Sequence, residues 1–179
     1  MRADNLGAAF GIGIGDVMTQ GGNSVFGADA GKMNSTGNSN SFFGYAAGMK
    51  NFSGLANSTF GREAGKQITT GSFNTFIGAD SGNLILSGTR NTALGYQADF
   101  GGANLTYATA IGANTVVNSS NTIQLGRGNG SDTVRIPGDL SVLGTISGTL
   151  PPGSGNYIQN STTLQPSSNF NIIGEGKAT

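Results

Sequence analysis

Short apolar pairs closed by glycine recur along this chain on a fixed beat. Asn23-Ser24-Val25-Phe26-Gly27, Asn40-Ser41-Phe42-Phe43-Gly44, Asn57-Ser58-Thr59-Phe60-Gly61, Asn74-Thr75-Phe76-Ile77-Gly78 and Asn91-Thr92-Ala93-Leu94-Gly95 are spaced by 17 residues each. Ala108-Thr109-Ala110-Ile111-Gly112 continues at the same interval, and Thr122-Ile123-Gln124-Leu125-Gly126 follows after 14. Gly7-Ala8-Ala9-Phe10-Gly11 is a degenerate first copy 16 residues upstream. Two more glycine columns hold the register: Gly31, Gly48, Gly65 and Gly82, each preceded by Ala or Ser, and Gly37, Gly54, Gly71 and Gly88. Glycine at constant offsets marks positive φ or close packing on a neighbour. Units broken this often hold short strands and turns, with no room for a helix. One strand per unit stacks on its copy at about 4.8 Å. The predicted fold is therefore all-β, a β-solenoid or β-roll of about seven 17-residue coils whose stability is collective.

Stacking turns each offset into a column. The residues just before the first glycine, Phe26, Phe43, Phe60, Ile77, Leu94, Ile111 and Leu125, form an unbroken apolar ladder and are expected inside the coil. One position earlier, Val25, Phe42, Phe76 and Ala93 must point the opposite way on a strand. Two apolar faces on so thin a coil imply that the second is covered by another copy of the chain, since exposed Phe42 and Phe76 would form a sticky stripe. The column Asn23, Asn40, Asn57, Asn74 and Asn91 is expected to be a turn and ladder device, its amides hydrogen-bonding along the axis. The Ser/Thr column after it is a regular hydroxyl array, which could instead order water.

The organisation follows from these columns. Residues 1–22 form a degenerate entry coil, 23–131 the repeat domain, 132–150 short β segments around Val134, Ile136, Leu140, Val142, Leu143 and Ile146, and 151–179 a linker with a β-prone tail. The tail is too poor in apolar groups to fold alone and is expected to be ordered by wrapping around its copies.

Composition narrows the chemistry. Of 179 residues 32 are Gly, 10% are charged, the net charge is zero, and Cys, His and Trp are absent. Disulfides, Cys/His metal sites and His-based catalysis are excluded, and nothing favours nucleic acid or an anionic membrane surface. No apolar stretch approaches a membrane span and the first 22 residues lack a secretory signal, so no membrane insertion is expected in this segment. The pattern at the end, Gly174 to Thr179, has no obvious stop, which favours a fragment. Asp29, Glu63 and Asp80 share one offset, and Glu63 and Asp80 in adjacent coils could approach the carboxylate separation of a retaining glycosidase. Lys32, Lys66 and Arg62 nearby favour a charge-balanced surface instead, so no enzyme and no cofactor is expected. Gly11-Ile12-Gly13-Ile14-Gly15-Asp16 lacks the Lys-Ser/Thr of a phosphate loop.

Tyr107-Ala108-Thr109-Ala110-Ile111-Gly112 and Asn121-Thr122-Ile123-Gln124-Leu125-Gly126 resemble the Asn-Ser-Val-Ala-Ile-Gly pattern of the left-handed β-roll head repeats of trimeric autotransporter adhesins. Related repeats occur in tail fibres of phages and contractile injection systems. The resemblance spans roughly residues 7 to 131. Most copies here run three residues longer and set Asn one residue closer to the Gly. It implies a parallel homotrimer in an extracellular or cell-surface fibre, or on a phage or injection-system particle, that spaces a tip or binds a cell-surface glycan or protein receptor. Tyr45 and Tyr96, one position after the Gly, are candidate glycan contacts. The alternatives are a monomeric ice- or surface-binding solenoid and a self-stacking filament subunit.

Overall fold

Each repeat supplies one three-residue strand, because the glycine that follows leaves β geometry at once. The computed structural model describes residues 8–13 and 21–143. Its strands are β1 (Ala8–Phe10), β2 (Ser24–Phe26), β3 (Ser41–Phe43), β4 (Ser58–Phe60), β5 (Thr75–Ile77), β6 (Thr92–Leu94), β7 (Asp99–Phe100), β8 (Thr109–Ile111), β9 (Val116–Val117) and β10 (Ile123–Leu125). Eight of them form one parallel sheet in the order β1-β2-β3-β4-β5-β6-β8-β10, and β7 pairs β9 on another side of the coil. Ser41 pairs Ser58, Phe42 pairs Thr59 and Phe43 pairs Phe60, so the 17-residue offset is the register. The architecture is an all-β solenoid of about seven turns.

Strand facing is the reverse of the expected one. Val25, Phe42, Phe76 and Ala93 lie inside the coil, with Phe42 and Phe76 fully buried by their own chain. They are not an inter-chain column. Phe26, Phe43, Phe60, Ile77, Leu94, Ile111 and Leu125 point outward, and all are exposed except half-buried Phe43. They are not the core. The reason is parity: the Asn column is buried, and side chains two apart on a strand share a face. Asn40 therefore takes Phe42 inward with it and sends Phe43 out.

The Asn column earns burial by bonding to main chain more than to its own amides. Asn40 Oδ1 accepts the Asn57 N–H at 2.9 Å, and Asn40 Nδ2 donates to the Gly54 carbonyl at 2.8 Å. The same pair of bonds recurs from Asn23 to Asn91, where the last amide accepts the Ala108 N–H and donates to the Leu105 carbonyl. Each Asn thus closes its own coil and ties it to the next. The turn conformation sits on the preceding residue: Ser39, Ala56, Phe73, Arg90, Tyr107 and Asn121 all have φ between 52° and 60°. A second such column is Asp29, Ala46, Glu63, Asp80, Gln97 and Asn114.

The interior is narrow, and a second column is buried along with the inward one: Asn34, Asn51, Ile68, Ile85, Phe100 and Val117. The Phe76 and Phe100 ring centroids lie 5.7 Å apart. Gly48 makes room for Phe42; a Cβ there would stand 2.5 Å from the ring. At Gly61 the demand is conformational, with φ at 136° and a Cβ 2.6 Å from the Gly78 carbonyl carbon. Among the described residues three buried side-chain polar atoms have no partner: Asn34 Nδ2, Asn51 Oδ1 and Thr59 Oγ1.

The chain divides into two units at Arg135. The β segments expected after the roll do not form in the described residues: 132–143 hold no strand, and Val134, Ile136, Leu140, Val142 and Leu143 are exposed. Pro137 and Gly138 interrupt the run, and no partner strand lies in register with it. Ile146 and the tail 151–179 lie outside the described residues.

Thr59 offers a direct check on the interior. Replacing it with Val keeps the shape and removes a buried hydroxyl without a partner, which should stabilise the roll by about 1 kcal/mol. Gly61→Ala should instead destabilise it by about 2 kcal/mol or more, through strain and contact with the next coil. Urea unfolding followed by circular dichroism measures both.

Candidate interaction face

Strands of three residues send their first and third side chains to the outer face. The third positions make one continuous apolar ladder: Phe10, Phe26, Phe43 and Phe60, then Ile77, Leu94, Ile111 and Leu125. The four rings are stacked, with centroids 5.5, 6.1 and 4.5 Å apart and interplanar angles of 13° or less. Eight strands at about 4.8 Å give the ladder a length of about 34 Å. Phe26 remains 54% exposed and Leu94 44%, so stacking covers one another's faces but not the ladder as a whole. Beside it run the first positions, Ser24, Ser41, Ser58, Thr75, Thr92 and Thr109, half-buried hydroxyls in the same register.

This contrast separates structural from surface demands within one chain. The inward column holds Val, Phe, Thr, Ala and Gln. The outward column is apolar in every coil although its own fold does not bury it. Packing inside the coil therefore does not account for it.

Tyr45 and Tyr96 are both about half exposed but stand three coils apart, with Arg62 and Ala79 between them at the same offset. The structure does not bring them together. Of the carboxylates, Asp29 pairs Lys32 at 2.9 Å, and Glu63 pairs Lys66 at 2.9 Å and Arg62 at 3.0 Å. Arg62 also binds Asp80, so a guanidinium sits between the two acids that sequence places in adjacent coils. Each of the three acids has a cation of its own.

Two carboxyls are displaced in opposite directions. The Arg127 guanidinium, 2.7 Å from Asp132, together with the Arg127 N–H, holds the Asp132 carboxyl at about 2, against an ordinary value of 3.8. Burial pushes Asp99 up, partly offset by N–H groups of Leu84 at 3.0 Å and Phe100 at 2.9 Å. The hydrogen bond from Lys66 lowers Glu63. Among the described residues no cluster of acids is suited to hold a metal, and no helix is long and apolar enough to cross a membrane.

No protein-family model matches the chain, and no curated protein or solved structure matches it.

The electrostatic assignment is testable by carboxyl carbon NMR. Asp132 should titrate near 2, and its contribution to stability should be present above 3.8 and be lost as pH falls toward 2. Asp99 should titrate above 3.8; its preference for the protonated form is full below that value and is lost as pH rises through the raised one. Arg127→Gln should return Asp132 toward its ordinary value.

Proposed function

We propose that this chain is a non-enzymatic structural and adhesive segment of a homotrimeric fibre, carried on a cell surface or on a phage or injection-system particle. The observation that carries the reading is the unbroken outward apolar ladder from Phe10 to Leu125, exposed in every strand but that of half-buried Phe43. A continuous apolar stripe of this length along a roll is a surface for association. Its natural cover is the same ladder of other copies, since parallel rolls present matching side chains at matching heights. Each fully covered ring would contribute about 1.5–3 kcal/mol, so several coils together outweigh the cost of association. The resemblance of the 108–126 motifs to trimeric adhesin repeats supports three copies. A rod built in this way spaces and presents what it carries, and three equivalent faces bind a receptor with avidity.

A second reading has its own observation in the hydroxyl column flanking the ladder. A parallel sheet with Ser or Thr in six successive strands, from Ser24 to Thr109, could order water as a monomeric ice- or surface-binding protein. The two differ in mass and in thermal hysteresis.

Multi-angle light scattering should give three times the chain mass of 18.0 kDa. The double substitution Phe43→Ser and Phe60→Ser should yield monomers with an unchanged circular dichroism spectrum, because both side chains lie outside the coil. A monomeric wild type would sink the fibre reading, and thermal hysteresis in that monomer would establish the second.

A further inference from the structure

A different edge of the roll carries three large side chains where the fold favours small ones. The column before the buried Asn residues is held at positive φ, a conformation that disfavours bulky side chains. Ser39, Ala56 and Asn121 suit it; Phe73, Arg90 and Tyr107, at φ 60°, 58° and 54°, do not. The turn explains the backbone but not this choice of residues, and strain kept at exposed side chains points to a use for them.

Their arrangement shows what that use is. The Arg90 guanidinium carbon lies 5.2 Å from the Phe73 ring centroid and 5.3 Å from that of Tyr107, between two aromatic rings. Lys32, Arg62, Lys66 and Arg127 each have a carboxylate partner, whereas no acidic side chain of the described residues lies within ion-pair distance of Arg90. Stacking engages the faces of a guanidinium and leaves its edge N–H donors for a planar acceptor. All three side chains are exposed, and the part-exposed hydroxyls of Ser72, Thr89 and Thr106 stand one position earlier in the same coils.

We propose that Phe73, Arg90 and Tyr107 form a binding site for a carboxylate-bearing pyranose, a uronic or sialic acid residue of an anionic polysaccharide. The carboxylate accepts the guanidinium fork, the C–H face of the sugar lies on the aromatic rim, and the flanking hydroxyls meet its hydroxyls. A simple anion would use the fork alone, and an acidic peptide would leave the rings without a partner. The site gives a ligand to the adhesive part of the proposed function. It belongs to one protomer and does not require the trimer.

The test is binding of the full chain to immobilised polygalacturonate and to polysialic acid, which separates the two sugar sources. At least one should bind, and its methyl-esterified form should bind about tenfold more weakly or worse. Arg90→Gln should lose about tenfold in affinity, and Arg90→Lys should also weaken binding because it lacks the planar fork, with solution mass and circular dichroism unchanged. Failure of both polymers to bind, equal binding by Arg90→Gln, or equal binding of the esterified polymer overturns the site. Poly-glutamate competing as well as the sugar overturns the sugar assignment. A trimer that binds neither polymer leaves the fibre standing, whereas a monomer that binds one removes the fibre and keeps the site.

Discussion

The buried asparagine column is the constraint from which the rest of the roll follows. A short side-chain amide carries its acceptor and its donors on separate atoms, so it can accept a backbone N–H from the next coil while donating to a carbonyl across its own. From Asn23 to Asn91 it does both, with bonds of 2.7–3.0 Å. Without it most of those main-chain groups would lose their partner, each at a cost of about 1–3 kcal/mol, although the Gly54 carbonyl also accepts from Asn51 at 3.1 Å. Burying Asn then decides the parity of the strand, and parity decides which apolar column is core. Seen this way, a polar residue directs the hydrophobic pattern.

A consequence is that the coil holds only one inward side chain per strand, and the third strand position is left outside whatever its chemistry. Solenoids gain stability from neighbour to neighbour, so a single outward column could be polar at little cost to any coil. Here every copy from Phe10 to Leu125 is apolar. That regularity lies on the outer surface, and packing within the roll does not account for it.

The period, the register, the eight strands of the main sheet and the lack of helix among the described residues were legible from glycine spacing; the pair β7 and β9 was not. The facing was not, because two apolar columns stand side by side and the more regular of them is the one that lies outside. The clue lay in the same repeat: a residue as polar as Asn can be buried when its amide has fixed main-chain partners, and Asn40 and Phe42 are two apart. The positive-φ columns were also hidden, since Glu63, Phe73 and Arg90 give no sign of such a backbone. Arg90 between Phe73 and Tyr107 follows from the 17-residue spacing, yet the offset drew no notice because its earlier copies are Ser39 and Ala56. The acid column was visible, but the placement of Arg62 between Glu63 and Asp80 depended on side-chain geometry.

The roll is not uniform along its axis, and its changes coincide. The outward ladder passes from stacked Phe to Ile77 and Leu94 one coil after Phe60. The strained edge passes from Ala56 to Phe73, and the interior passes from Asn34 and Asn51 to Ile68 and Ile85. Buried apolar residues accordingly fall into two clusters, Val25 to Ala47 and Ile68 to Val117. Between them lie Thr59 Oγ1 and Asn51 Oδ1, both without partners. Asn51 donates back to Asn34 at 3.1 Å, but Ile68 occupies the next step of that column and offers no hydrogen for its oxygen. A chain of neighbour interactions is weakest where its link is poorest, so the coil around Thr59 is where the two halves part most easily. The half that retains the larger apolar core is the one that carries the Arg90 edge, and the half with the thinner, Asn-lined core is the one that displays the aromatic ladder. Association along Phe10 to Phe60 would therefore reinforce the part of the roll that its own interior supports least.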